Sequence, residues 1–403
     1  MDTVPQRLSR FLAGSGLIFR TQQEIRNVHC FDPLIIFVYL FADIYGCLYI
    51  AKVYGYNRNT FFKLKVLRFI SAKLFQQDSF DGLQHWRTSH IKSPDSGKTE
   101  TGVIKVTRFF HGTNRTGPYF EGWYFKHQNP QGQTLALIPA FHIDREGRRT
   151  ASLQVISKNQ AWWLEYPASQ LQISRRPFQV QIGQSSFGGQ GIDLHIQQDG
   201  LSLQGTLHYG SFTSLQSDIM GPFRFFAGMQ CSHGVISMGH SLSGTLELNG
   251  ERLDFSGGTG YFETDRGRSF PSAYLWTQCL WNGPEPGSLM LAIATIPLPV
   301  GGFTGCICSV FYGGREYRLA TYRGIKIETW SSNGAVIRQG KYRLEVELLN
   351  ERRQPLRAPV EGRMERTIHE SLCAEVRYRF WHGDSLLFQR TDPNASFEYS
   401  SAT

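Results

Sequence analysis

Gly244-Thr-Leu-Glu-Leu-Asn-Gly-Glu-Arg-Leu-Asp-Phe255 reads as two short strands of alternating character joined by Asn249-Gly250. Asn-Gly is the dipeptide that most readily supplies the two positive φ values of a type I′ turn, so the stretch predicts a tight antiparallel hairpin. The same punctuation recurs on both sides of it. Asn129-Pro-Gln-Gly132, Arg145-Glu-Gly147, Asp199-Gly200 and Asn333-Gly334 separate short alternating runs, and no helical period longer than a dozen residues interrupts them after Phe109. Aromatic residues make up 13% of the chain and there are 41 glycines, which favours β-structure over helix. The expectation is an all-β protein of antiparallel strands.

The 403 residues suffice for two domains with a large core. The spacing of the turns divides the chain into a basic N-terminal extension (1–75), a polar linker (76–105) containing Lys92-Ser-Pro-Asp-Ser-Gly-Lys98, a first β-module (106–215) and a second (216–403), the two halves joining near 211–221. The net charge of +9 is concentrated at the front, where residues 1–75 hold ten Lys or Arg against four Asp or Glu. A nucleic-acid footprint spread over the β-region is therefore not expected. Residues 34–51 are apolar but for Asp43 and are followed by six basic residues between Lys52 and Lys73. This is short for a membrane span, and three readings stay open: a membrane-associated segment, an organelle-targeting extension or a buried helix. Compartment follows accordingly, membrane-associated or plastid-type in a eukaryote and cytoplasmic in a bacterium.

The seven cysteines, Cys30, Cys47, Cys231, Cys279, Cys306, Cys308 and Cys373, contain no CxxC pair and read as reduced, mostly buried thiols. There is no phosphate loop, GxGxxG, HExxH or GxSxG. His142-Ile-Asp144 and Asp193-Leu-His195 each offer two ligands from one strand without a third, so no metal and no cofactor is expected.

Two segments carry chemistry. Gly260-Tyr-Phe-Glu-Thr-Asp-Arg-Gly-Arg-Ser-Phe-Pro271, if extended, puts Tyr261, Glu263 and Asp265 on one face, and Tyr274, Trp276 and Gln278 share a face just after it. Tyr119-Phe-Glu-Gly-Trp-Tyr-Phe-Lys126 puts Tyr119, Glu121, Trp123 and Phe125 on one side and Phe120, Tyr124 and Lys126 on the other. Carboxyls among aromatics point to a proton donor in an apolar pocket.

Both segments resemble the signatures of the tocopherol cyclase family, as do Met220-Gly-Pro-Phe-Arg224, His233-Gly-Val-Ile-Ser-Met-Gly-His-Ser-Leu-Ser-Gly244 and Leu356-Arg-Ala-Pro-Val360. The resemblance runs in order from about Phe109 to Tyr399, with Arg266 standing where plant-type members usually carry Trp. It implies two lipocalin-like antiparallel barrel or sandwich modules and an isomerase that closes a chromanol ring on a prenylated hydroquinone. Such an enzyme protonates the prenyl alkene, holds the cation over aromatic faces and adds the phenolic hydroxyl, without a redox cofactor. On this reading Glu263 is the acid and Asp265 the neighbour that keeps it protonated, an assignment also suggested by the distantly similar carotenoid 1,2-hydratases. His240 would bind or deprotonate the hydroxyl, with His233 a weaker candidate. Glu121, Trp123, Tyr261, Tyr274, Trp276 and Gln278 would line the substrate. The partners implied are an apolar prenylated small molecule and a membrane surface. Rival readings are a carrier of isoprenoids or quinones that performs no reaction, and an alkene hydratase.

Overall fold

The computed structural model describes residues 110–401 apart from 176, 199, 227–228, 284 and 298–301. The N-terminal extension, its apolar segment and the linker lie outside the described residues.

The first sheet has twelve strands: β1 (Tyr119–Gln128), β2 (Thr134–Ile143), β3 (Arg149–Ser157), β4 (Ala161–Pro167), β5 (Leu171–Arg175), β6 (Phe178–Ile182), β7 (Ser185–Gly188), β8 (Gly191–Gln198), β9 (Leu201–Tyr209), β10 (Cys231–Leu248), β11 (Glu251–Asp254) and β12 (Thr259–Gly267). The second has ten: β13 (Tyr274–Trp281), β14 (Gly287–Pro297), β15 (Gly302–Tyr312), β16 (Arg315–Ala320), β17 (Lys326–Ser331), β18 (Gly334–Gln339), β19 (Tyr342–Asn350), β20 (Gln354–Val360), β21 (Arg363–His382) and β22 (Ser385–Ser400). Among the described residues the helical turns are short 3-10 segments at Ala168–Gln170, Gly221–Phe225 and Thr321–Arg323. The all-β, antiparallel expectation holds.

The hairpin at Asn249-Gly250 forms as expected. Leu248 pairs with Glu251 across Asn249 (φ 50°) and Gly250 (φ 83°), both left-handed as a type I′ turn requires. Strand β10 runs well beyond it. One half pairs with β9 and β11, the other with β12, and register shifts between Val235 and Ser237 and between Ser237 and His240 bend it between the two.

The joint between the modules is not near 211–221. Strands β10 to β12 return to the first sheet, where β12 pairs with β1, and the chain passes to the second sheet only at 268–273. The β1–β12 pairing joins residues about 140 positions apart, and alternation along a strand carries no mark of its distant partner.

Three large apolar clusters follow from this arrangement, beside a small one of Tyr119, Phe141 and Ile143. Trp123, Phe125 and Phe262 belong to a core inside the first sheet, with Phe125 and Phe262 stacked 4.1 Å apart between ring centroids. Leu275, Cys279, Cys306, Cys308 and Phe397 belong to a core inside the second. The third cluster lies between the sheets and includes Tyr124, Tyr261, Tyr274 and Trp276. Strands β1, β12 and β13 thus bury both faces, one in their own sheet's core and one between sheets, which explains why YFEGWYFK is apolar on both sides.

Candidate functional site

A cavity of about 190 Å³ opens in the layer between the sheets. From the first sheet it receives Phe120, Gly122 and Tyr124 of β1, Ile138, Ala140 and His142 of β2, Cys231 and His233 of β10, and Glu263 and Asp265 of β12. From the second come Tyr274 and Trp276 of β13, Ile368 and Glu370 of β21, and Glu398 of β22. Four carboxyl groups therefore face one largely apolar space.

On the first wall the two acids of β12 flank a histidine. His233 is directly opposite Asp265 in the β10–β12 register, and its Nδ1 lies 3.0 Å from Asp265 Oδ1 while its Nε2 lies 3.3 Å from Glu263 Oε2. The Tyr261 hydroxyl also donates to Glu263 Oε2, and Cys231 Sγ stands 3.7 Å from Asp265 Oδ1. Burial works to lower the His233 pKa, but the two carboxylates outweigh it and hold the imidazole well above its ordinary value. Donor atoms of His233, Glu263 and Asp265 lie within 4.8 Å of one another, so this set, which the sequence reading did not foresee, could hold a cation. Each ring nitrogen faces a different carboxylate, an arrangement that also serves as an ion-pair bridge.

On the second wall Glu370 and Glu398 stand directly opposite each other on β21 and β22. Tyr124 donates to Glu370 Oε1 at 2.6 Å, and Tyr274 donates to Glu398. Burial pushes the Glu370 pKa up to about 7 against the opposing effects of the Tyr124 hydrogen bond and Lys126. Burial, reinforced by the charge of Glu370, holds Glu398 well above the carboxylate range. Trp276 closes this wall, edge-on to Tyr124 with ring centroids 5.4 Å apart. Its Nε1 is buried without a hydrogen-bond partner.

The structure thus brings Glu263, Asp265, Tyr274 and Trp276 to one cavity, with Tyr261 behind Glu263. It separates the others. Glu121 and Trp123 lie on the opposite face of β1. Glu121 accepts from the His111 backbone N–H at 2.8 Å and from the Tyr119 hydroxyl at 2.7 Å, and pairs with His111 Nδ1, tying the entry segment to the sheet. Trp123 packs on Phe110 and Phe178. The alternation of β1 was right, but the cavity takes its even-numbered face, because the odd one fills the first sheet's core.

His240 is likewise displaced, lying between Tyr209 and Phe212 at centroid distances of 4.5 and 4.8 Å. Burial lowers its pKa to about 3. His240 is seven positions from His233 along β10 and pairs with Gly260 of β12, away from the Asp265 that His233 faces. Gln278 is fully buried beyond the cavity wall, with both amide atoms unpartnered.

Glu370, Glu398 and Tyr124 were missed as site groups. No local motif marks the two glutamates, which enter only because β21 and β22 lie against the face of β1 and β12. His233, the weaker candidate in the sequence, occupies the centre of the first wall.

Solved structures similar to this chain include CghA (TM-score 0.45, 10% identity, covering 71% of this chain and 89% of that chain). Kievitone hydratase from Nectria haematococca is another (TM-score 0.44, 11% identity, covering 76% of this chain and 97% of that chain). A family model described as tocopherol cyclase-like matches residues 198–399, which contain β10, β12 and both glutamates of the second wall. With half of its length in that match, the chain belongs to the tocopherol cyclase-like family.

Proposed function

We propose that this protein is an alkene-protonating cyclase acting on a prenylated hydroquinone, and that its proton donor is Glu370 rather than Glu263. The observation that carries the reading is the division of the four carboxyls between two walls. Glu263 accepts a hydrogen bond from the Tyr261 hydroxyl, and the His233 imidazole stands 3.3 Å from the same carboxyl oxygen. Glu370 is buried among aromatics with its pKa near 7, so it is still protonated near neutrality yet acidic enough to give the proton up. Glu398 is shifted further and stays neutral beside it.

In this mechanism the Glu370 carboxyl transfers its proton to the less substituted alkene carbon. The tertiary cation that results lies against Tyr124, Tyr274 and Trp276, whose ring faces stabilise positive charge. The phenolic oxygen attacks that cation and its proton passes to Glu263 or Asp265, with His233 holding the pair in place. One proton enters and one leaves, so the reaction is an isomerisation. The apolar lining holds the prenyl chain and keeps water from the cation.

The test is chromanol formation from a phytyl-hydroquinone by purified protein. Glu370→Gln keeps the shape of the side chain but removes its transferable proton, and turnover should fall by about 10²–10⁴-fold, the usual worth of a general acid. Tight substrate binding by the wild type without any chromanol would favour the carrier reading.

One observation favours a second reading. The Asp265 side chain retains 25% exposure, which brings solvent to one edge of the site. Water could then capture the cation, and a product one water heavier than the substrate would identify a hydratase.

A further inference from the structure

A second cavity of about 320 Å³ adjoins the first, and His142, Arg357 and Met364 line both. Its other walls are polar, with Asp144, Arg148, Glu165, Arg363 and Glu365 among them. Most of these charges are already matched. Arg148 bonds Asp144 at 3.1 Å, and Arg363 reaches Glu146, Glu365 and Asp144.

Two groups at the junction are unmatched. His142 is 4% exposed, and its Nε2 bonds Ser152 Oγ at 2.8 Å while Nδ1 is buried without a partner. The Arg357 guanidinium is exposed and forms no ion pair among the described residues. Its backbone is held from across the sheets: Gln154 Nε2 donates to Arg357 O at 3.1 Å, and Arg357 N donates to Gln154 Oε1 at 2.8 Å. An unpartnered buried nitrogen and an unpaired guanidinium on an anchored stretch of backbone flank the passage from an apolar chamber to a polar one.

We propose that His142 and Arg357 form a carboxylate-binding subsite, and that the cavity takes an apolar isoprenoid molecule bearing a single carboxylate group. The apolar body would lie between the sheets and the carboxylate at the junction, accepting from the Arg357 fork and from His142 Nδ1–H. Burial keeps His142 neutral by lowering its pKa to about 3, so the Nδ1–H tautomer is available with Nε2 accepting from Ser152. One net positive charge suits a monoanion. A phosphate dianion would share the chamber with Glu165, which is exposed, lines it and forms no ion pair among the described residues.

This subsite rests on the reading of the apolar cavity as the ligand chamber but not on cyclisation, so its test measures binding alone. Equilibrium binding of farnesoic acid, farnesol and farnesyl monophosphate to the full-length protein at low salt separates the possibilities. The acid should bind about 10-fold or more tightly than the alcohol, the usual worth of a hydrogen bond to a charged group. Arg357→Gln should abolish that preference while leaving farnesol within about twofold, which also reports that the cavity is intact. Glu165→Gln should strengthen acid binding by removing a negative charge that lines the same chamber. Equal affinity of wild type for acid and alcohol, equal weakening of both by Arg357→Gln, or tighter binding of the monophosphate than of the acid would each overturn the proposal.

Discussion

Glu370 illustrates how far one side chain's chemistry depends on what surrounds it. Its pKa rises from 4.5 to about 7 chiefly because burial penalises the charged form. The sign for stability follows from proton counts. Between about pH 4.5 and 7 the folded state holds this proton and the unfolded state releases it, so stability falls as pH rises through that window, by on the order of 3 kcal/mol from this group. Glu370→Gln should remove the loss, and urea midpoints at pH 8 should be higher for the variant than for the wild type. Turnover should follow the same proton and decline in the wild type as pH rises through about 7. Besides facing the cation, Tyr124 tunes the acid in this scheme, since its hydroxyl bonds Glu370 at 2.6 Å and lowers the pKa. In Tyr124→Phe the alkaline limb of the pH–rate profile should therefore move to higher pH, and an unmoved limb would assign the acid elsewhere.

At the scale of the element, β12 shows why the glycines before Glu263 cannot be exchanged freely. A Cβ on Gly260 would fall 2.3 Å from His240 Nε2 and within 3 Å of two further ring atoms. The ring has nowhere to go, being held between Tyr209 and Phe212 and bonded through Nδ1 to Ser237 Oγ at 3.0 Å. Gly260→Ala should cost about 1–3 kcal/mol, typical of overpacking, measurable as a lower urea midpoint with unchanged slope. His240 thus acts as part of the packing that sets β10 against β12, and so sets His233 against Asp265. A loss of activity in Gly260→Ala without loss of stability would contradict that role. The family resemblance implied a site role for His240, and nothing in the local sequence marks that Tyr209 and Phe212 enclose it.

At the scale of the molecule, three histidines among the described residues are buried in the first sheet or against its face and held neutral. His127, His142 and His240 have pKa values lowered to about 3 by burial, against 6.5 when exposed. On acidification the unfolded chain binds these protons first, so stability falls as pH drops below about 6.5, by about 2 kcal/mol per histidine at pH 5. Thermal melting at pH 5 should accordingly lie below that at pH 6.5, the raised carboxyls Glu370 and Glu398 opposing it only in part. Residues 110–401 contain the three large apolar clusters described above, and deletion of residues 1–100 should leave a folded β-region, checked by circular dichroism and cooperative melting. The strands, the hairpin at Asn249-Gly250 and the alternation that put Glu263 and Asp265 on one face were determined by the sequence itself, because each depends on neighbours within a few positions. The extent of the first sheet, the choice of face on β1 and the recruitment of Glu370 and Glu398 were decided only by the tertiary structure. Each of these depends on which distant strand completes a sheet or covers it, and local periodicity holds no record of that partner.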